Sequence, residues 1–324
     1  MVVIPEFMET KMYNLRHSKK IKNFKSEIIF PDMQKGLDDV KEKMRDFIEE
    51  ICNAIGPRPP ASPAEAKAAD FLRERFEQCG GESRIERFVC RPGAYRAAFR
   101  WPIICYLIAV VLYWFLPIAS FLILVFAVVV FVGNTMYNKE IVDIFFQEKQ
   151  STNVICKFKP KGKVKSLVII DGHHDSNWEY PLLKKFSSGL VFFMGAHFAL
   201  TALLMLGLII KFALAAFSIQ FGYTIDLVLV VMFAAFIPLE IYTCVNIVSD
   251  RPVMGANDNL SALAVCLGVA DHLSDIKNLP KNTEVWLCSF GCEEIGVRGA
   301  KRFVTAHYNE VKDASVISLD IVDS

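Results

Sequence analysis

The chain has 324 residues, and its 36 Lys and Arg against 35 Asp and Glu give a net charge of +1 at neutral pH. A charge this close to balance gives no support to a nucleic-acid partner. Hydrophobic residues make up 53% of the sequence, which exceeds the usual share in a soluble domain and indicates membrane-embedded segments. The nine cysteines show no paired spacing, so they indicate a reducing compartment and not a disulfide framework.

The N-terminal segment, residues 1–35, is predicted to be a basic tail. Residues 1–27 lack an apolar run, so they are not a secretory signal peptide. The cationic residues of the tail include Lys11, Arg16, Lys19, Lys20, Lys22 and Lys25. Two interpretations stay open: a solvated tail, and a segment that docks on anionic lipid.

Residues 36–100 are predicted to form the first part of a globular domain. Apolar residues at helical spacing predict a helix over 36–55. A second helix is predicted to begin after Ser62, because Ser62-Pro63-Ala64-Glu65 combines a capping box with proline at the first helical position. Residues 83–90 have the pattern of a strand.

Two apolar blocks interrupt this domain. Residues 101–137 contain no charged side chain, and Pro117 lies near their middle. A single helix of this length would reach ~55 Å against a hydrocarbon core of ~30 Å, so we expect a transmembrane hairpin that turns near Pro117. A second hairpin is predicted over 186–246, with Lys211 and Asp226 near its tip. Between the two blocks, residues 138–185 return to the globular domain, with strands at 152–159 and 166–171.

The second apolar block contains His197 and Glu240. Ionisable residues at membrane depth are often functional. For His197 a structural hydrogen bond within the bundle is favoured. Glu240 is predicted to lie at the interface beside the globular domain, with solvation favoured over a contact to substrate.

Residues 247–324 are predicted to complete the globular domain. The pattern gives a loop at 251–257, a helix at 259–274, a strand at 284–290, a helix at 297–309 and a strand at 315–320. Strands that alternate with helices predict an α/β fold with a mixed, mainly parallel sheet flanked by helices. The two transmembrane helical hairpins interrupt this sheet in sequence.

Polar clusters follow predicted strands or open predicted helices, where open α/β sheets bind ligands. His173 and Asp175 follow one strand, and Asp258 stands before a helix. Alone, Asp258 would be read as an ordinary helix N-cap. Glu293 and Glu294 directly follow the apolar strand 284–290. Adjacent glutamates there are best explained by one carboxylate that binds a metal and one that handles protons.

The order of these clusters, completed by Asp320, resembles the di-zinc aminopeptidases, which are zinc-dependent exopeptidases of the bacterial leucyl aminopeptidase type. The resemblance covers about 36–90 and 150–324 and excludes the hairpins. It implies peptide substrates, two zinc ions, and a cis peptide bond between Asp258 and Asn259. By this resemblance the first zinc is bound by His173 and Asp320, both zincs by Asp258 and the second zinc by Glu294, while Glu293 is the general base and Asp175 orients His173.

The chain departs from this family in two respects, one of which is that Ile321-Val322-Asp323-Ser324 replace the family's usual residues after the last aspartate. The family places a last histidine, a ligand of the second zinc, well downstream of the final aspartate, whereas the present sequence stops four residues after Asp320. We therefore expect the sequence to be a C-terminally truncated piece of a longer protein. His272 and His307 lie in predicted helices and are poor substitutes.

Two further residues near the clusters invite a functional reading. His174 is interpreted as a solvated or rim histidine, in preference to a third ligand. Cys292 is interpreted as a small packing residue, because no histidine lies near it in sequence to activate a thiol.

These features predict an integral membrane zinc aminopeptidase, with peptide and the lipid bilayer as its partners. Two alternatives stay open: a non-catalytic membrane scaffold or receptor-like relative, and an enzyme like glutaminyl cyclase. The positive-inside rule predicts a cytoplasmic catalytic domain, since Lys211 alone marks the far side. The cations that flank the hairpins on the near side are Arg96, Arg100, Lys139, Lys184, Lys185 and Arg251.

Overall fold

The computed structural model describes residues 33–219 and 222–322, with side chains from residue 40 onward. The cationic residues of the predicted basic tail lie outside these ranges. The elements of the first half are α1 (Met33–Ala54), α2 (Pro63–Gln78), β1 (Glu82–Cys90), α3 (Pro92–Phe115), α4 (Pro117–Phe131), β2 (Lys149–Phe158) and β3 (Ser166–His173). Those of the second half are α5 (Pro181–Lys185), α6 (Gly189–Ala216), α7 (Tyr223–Ala234), α8 (Ile237–Asn246), α9 (Ser261–Ser274), β4 (Thr283–Phe290), α10 (Arg298–Val311) and β5 (Ser315–Ser318).

The strands form one five-stranded sheet in the order β1-β2-β4-β3-β5. β3 pairs in parallel with both β4 and β5, while β2 runs antiparallel to both β1 and β4. The predicted mixed sheet is confirmed, but parallel pairing makes up only half of the ladders. The register sets His173 opposite Phe290, so β3 and β4 end side by side and their following loops meet.

The core of the globular domain lies on both faces of this sheet. On one face, α1, α2 and α9 pack against it through buried residues such as Ile51, Phe76 and Leu263. On the other face, Phe303 of α10 packs against Trp286 of β4. Layers of helices on both faces protect the strands from water and fix where their ends lie.

The start of α2 agrees with the prediction in one half of its capping box. The Ser62 hydroxyl accepts a hydrogen bond from the Glu65 amide at 3.1 Å. The reciprocal bond is different, because the Glu65 carboxylate accepts from the Ala61 amide at 2.9 Å, while the Ser62 amide donates to the Pro59 carbonyl. Glu65 is thereby turned into the protein interior, where it is fully buried.

Within the part of the chain that the structure describes, four helical stretches are long and apolar enough to cross a membrane: Pro92–Phe115, Pro117–Met136, Gly189–Ala216 and Tyr223–Asn246. The predicted break near Pro117 is present, since α3 ends at Phe115 and α4 begins at Pro117. α3 begins at Pro92 and not near residue 101, so its first turns contain Arg96 and Arg100.

The apolar helices bury polar groups among themselves and expose apolar ones. His197 Nδ1 lies 2.8 Å from a Glu240 carboxylate oxygen, and both side chains are buried. This is the structural hydrogen bond predicted for His197. It satisfies one carboxylate oxygen of Glu240, while the other, Oε1, is buried and has no hydrogen-bond partner among the described residues. Outward-facing residues such as Val191 and Val231 are 77% and 59% exposed, which is the surface composition that a lipid environment requires.

The first hairpin is tied to the globular domain by ion pairs on α10. The Arg298 guanidinium binds both carboxylate oxygens of Asp143, and both side chains are buried. Arg302 pairs with Glu140 at 2.8 Å. The segment that follows α4 is therefore held against the same helix that packs on β4.

Candidate metal centre

Three predicted metal ligands meet where β3 and β5 end beside the turn that precedes α9. His173, Asp258 and Asp320 each offer one ligand atom, and these atoms lie within 4.8 Å of one another. His173 Nε2 is 3.1 Å from an Asp258 oxygen and 3.8 Å from an Asp320 oxygen. Glu293 approaches the same nitrogen at 3.6 Å. Imidazole and carboxylate groups are ligands that suit zinc.

Local backbone geometry brings Asp258 to this position. Gly255 has φ +63°, and a Cβ there would lie 2.6 Å from Ser176 Cβ and 2.7 Å from the Asp258 carbonyl oxygen, so glycine is required. The Asp258–Asn259 peptide bond is cis. The side-chain Nδ2 of Asn259 donates to the Leu319 carbonyl at 2.9 Å, which ties this turn to the residue before Asp320. β5 ends at Ser318, two residues earlier than predicted.

Asp175 joins the loop after β3 to the loop after β4. Its two carboxylate oxygens accept hydrogen bonds from the backbone amides of Glu293 and Glu294, at 3.0 and 3.1 Å. One of the oxygens also lies 3.4 Å from His173 Nδ1. A single buried carboxylate thus contacts the imidazole on the side away from Asp258 and fixes the backbone of both glutamates.

Glu294 stands apart from the group of three ligands. One of its carboxylate oxygens accepts a hydrogen bond from the Asn177 side chain. The other oxygen, Oε1, is buried and has no hydrogen-bond partner among the described residues. A buried carboxylate oxygen without a donor is costly, and a cation at this position would satisfy it.

The pKa values of Glu293, Glu294 and His173 are all raised in the centre. Burial raises the pKa of Glu293 to about 7 and that of Glu294 to about 9, and the negative charge of Asp175 adds to both shifts. For His173, burial lowers the pKa, but hydrogen bonds to carboxylates, first that of Asp175, outweigh burial and leave the pKa well above its usual value. Crowded carboxylates around one imidazole are the arrangement that a divalent cation stabilises.

Two buried residues that support the centre were not identified from sequence as parts of it. Glu65 accepts hydrogen bonds from the Cys292 amide and from the Ser151 hydroxyl, both at 2.9 Å. It therefore holds the backbone just before Glu293. The sequence shows Glu65 only as part of a helix cap, and nothing local relates it to a residue 227 positions away.

The second supporting residue is Arg58. Its guanidinium is fully buried and donates to the carbonyls of His174, Gly56 and Gly255 at 2.9, 2.8 and 3.0 Å. It links the loop after β3 to the turn that carries Asp258. Burial lowers the pKa of Arg58, and the charge of Asp175 opposes this shift. Arg58 appeared in the sequence only as part of the Gly-Pro-Arg segment before α2.

The interpretation of His174 as a solvated or rim histidine is wrong. The residue is fully buried, and its Nδ1 lies 2.8 Å from the Ser289 hydroxyl, because alternation along β3 turns it away from His173 and under the sheet edge. Cys292 is a buried packing residue, as predicted, with its sulfur 3.1 Å from that of Cys90.

Comparisons with known proteins agree with this chemistry. The sequence model of Peptidase family M28 matches residues 242–324. This segment contains Asp258, both glutamates and Asp320, and the predicted resemblance is therefore confirmed over it. A search of curated protein sequences finds no match.

Several solved structures are similar to the chain at low sequence identity. BSAP, a zinc aminopeptidase from Bacillus subtilis, has a TM-score of 0.44 and 15% identity, over 87% of this chain and 69% of that one. A Zn-dependent exopeptidase from Parabacteroides distasonis has a TM-score of 0.44 and 12% identity, over 91% and 63%. Fimbriiglobus ruber glutaminyl cyclase has a TM-score of 0.43 and 14% identity, over 86% and 60%. The chain thus spans about 60–70% of the length of these proteins.

Proposed function

We propose that the protein is a membrane-anchored zinc metallopeptidase that removes N-terminal residues from peptides. The observation that carries this proposal is the convergence of His173, Asp258 and Asp320, with Glu293 beside them. The family match over residues 242–324 supports the same class of reaction. No feature of the described residues selects a particular side chain of the substrate.

His173 and Asp320 would hold one zinc ion, and Asp258 would be shared with a second ion held by Glu294. Zinc bound there would polarise the scissile carbonyl and lower the pKa of water. The buried and unpartnered Glu294 Oε1 fits the need for a further ligand. The carboxylates of Asp258, Asp320, Glu293 and Glu294 lie close enough together for their charges to interact, and two divalent cations would neutralise their negative charge.

Glu293 would act as the general base. It approaches the ligand group without being one of its three members, so its carboxylate is available to accept a proton from the attacking water. The same carboxyl would then give that proton to the departing amine. Asp175 would keep His173 in one tautomer and hold the Glu293 backbone, so that the metal ligand His173 and the base Glu293 keep a fixed relative position.

The four apolar helices would anchor the enzyme in a bilayer, as two hairpins that each return to the side they left. The domain formed by residues 36–100, 138–185 and 247–324 would then lie on one side. The excess of flanking Lys and Arg on that side favours the cytoplasm. A cytoplasmic peptidase held at the membrane would act on peptides that are soluble in the cell or released near the bilayer.

The test separates the two adjacent glutamates in the full-length protein. We expect Glu293→Gln to retain zinc and lose ~100-fold to ~10,000-fold in hydrolysis, because an amide cannot accept the proton. We expect Glu294→Gln to lose part of the zinc, since a neutral amide is a poor ligand. Metal analysis and the hydrolysis of aminoacyl substrates measure these outcomes.

The same two variants of the full-length protein distinguish the alternative residue roles and the alternative functions. If Glu293→Gln loses zinc and Glu294→Gln retains it, Glu293 is the metal ligand and Glu294 is the general base. Hydrolysis unchanged in both variants would refute the peptidase proposal and favour the scaffold. Cyclisation of an N-terminal glutamine without hydrolysis would favour the glutaminyl cyclase alternative.

A further inference from the structure

A basic cavity lies where the second hairpin meets the globular domain, outside the metal centre. Its volume is about 620 Å³, within the ~300–1,000 Å³ that is typical of small-molecule sites. The short helix α5 forms one wall, the last turn of α8 forms a second, and the segment that contains Ser249 and Arg251 forms a third. None of its lining residues belongs to the metal centre.

The cavity carries more positive charge than its own carboxylate can neutralise. Glu179 is paired with Lys184, whereas Lys185 and Arg251 form no ion pair within the described residues. Lys185 Nζ lies 3.4 Å from the Tyr242 hydroxyl. Both cations are exposed and face the same cavity, so an anion there would meet two opposite charges at once.

Neutral donors complete the lining. Ser249 Oγ accepts a hydrogen bond from the Arg251 amide at 3.1 Å and donates a long one, 3.5 Å, to the Arg251 carbonyl, so a ligand oxygen would compete with that carbonyl for the hydroxyl hydrogen. Tyr242 also lines the cavity, and its hydroxyl accepts a hydrogen bond from Lys185 Nζ. Hydroxyl donors beside ammonium and guanidinium groups match the unesterified oxygens of a phosphodiester, which accept several hydrogen bonds and carry one negative charge.

The surroundings of the cavity are apolar on the membrane side. Phe186, directly after α5, is 43% exposed, and Ile241 and Val245 on α8 are 49% and 66% exposed. These side chains belong to, or directly precede, the helices that are apolar enough to span a membrane. A molecule bound by the cations would therefore have an apolar surface next to its phosphate.

We propose that this cavity binds the phosphate headgroup of an anionic phospholipid whose acyl chains lie along α6 and α8. Cationic residues near a bilayer surface attract anionic lipid, and the cavity turns that attraction into a defined site. The bound lipid joins α5, α8 and the segment through Arg251. This proposal requires insertion of the apolar helices in a membrane and is independent of the peptidase activity.

The experiment measures lipid binding to the whole chain by native mass spectrometry in detergent, during titration with phosphatidylglycerol or with phosphatidylcholine. We expect one phosphatidylglycerol to bind more tightly than phosphatidylcholine. The double variant Lys185→Gln/Arg251→Gln should weaken this binding about 25-fold, at about fivefold for each of the two charges. Lys185→Arg/Arg251→Lys, which keeps both charges, should restore most of it.

The matched control is Lys163→Gln/Lys165→Gln, which removes two exposed charges from the β2–β3 loop, at the opposite end of β3 from His173. It should bind lipid as the wild type does. Equal binding by the wild type and the Lys185/Arg251 double variant, with melting temperatures unchanged, would overturn the proposal. Displacement of the lipid by equimolar inorganic phosphate or glycerol phosphate would also overturn it, because the site would then take a soluble phosphate.

Discussion

The most informative single substitution is Glu65→Gln, because Glu65 supports the metal centre from a distance. Its carboxylate accepts from the amides of Ala61 and Cys292 and from the Ser151 hydroxyl. In either orientation of the new amide, the NH₂ group faces one of the two backbone N–H groups. One buried donor then loses its acceptor, which costs ~1–3 kcal/mol.

The variant should lower the apparent melting temperature by ~2–4 °C for each kcal/mol lost. It should also slow peptide hydrolysis, since the Cys292 amide fixes the backbone that leads into Glu293. The control is Glu74→Gln on the same helix, an exposed position where such changes stay within ~0.5 kcal/mol. A melting temperature for Glu65→Gln equal to that of Glu74→Gln would refute this account of the buried carboxyl.

The difference in unfolding free energy between the wild type and Glu65→Gln should change with pH, and the pKa of Glu65 fixes the sign of that change. Burial raises the pKa of Glu65 well above its usual value, and the charge of Asp175 adds to this shift. When the pKa of a carboxyl is higher in the folded than in the unfolded protein, the unfolding free energy falls as the pH rises from the unfolded pKa toward the folded pKa. The variant has no such loss, so the difference in unfolding free energy between wild type and Glu65→Gln should be largest at low pH. A difference that grows with pH would contradict a raised pKa.

Two further predictions concern the hairpins. Asp143→Ala should destabilise the protein by ~1–3 kcal/mol, measured by denaturant unfolding, because two donors of the buried Arg298 guanidinium lose their acceptor while Glu140 stays 3.3 Å away; an unfolding free energy equal to that of the wild type would contradict this. A cysteine introduced at Lys163 should not react with an impermeant thiol reagent on intact cells, whereas one at Ser218 beyond α6 should react, if the globular domain is cytoplasmic. The opposite labelling pattern would invert the proposed topology.

The sequence alone determined the features that depend on near neighbours. Ser62 and Pro63 set the start of α2, and Pro117 set the break between α3 and α4, because caps and prolines act on the backbone within a turn. The polar residues after β3 and β4 were found for the same reason, since apolar strands end where buried surface ends. The apolar helices were evident because a membrane span needs about twenty residues without charge.

Only the tertiary structure decided which distant groups meet. It turned β2 antiparallel between β1 and β4, buried His174 under the sheet edge, and placed Glu294 outside the group formed by His173, Asp258 and Asp320. It also showed that Arg58 donates hydrogen bonds to three carbonyls and that Glu65 accepts one from the amide of Cys292. The hydrogen bonds of Glu65 to Cys292 and of Arg58 to His174 and Gly255 join residues more than a hundred positions apart. They depend on where whole elements pack, which no local pattern encodes.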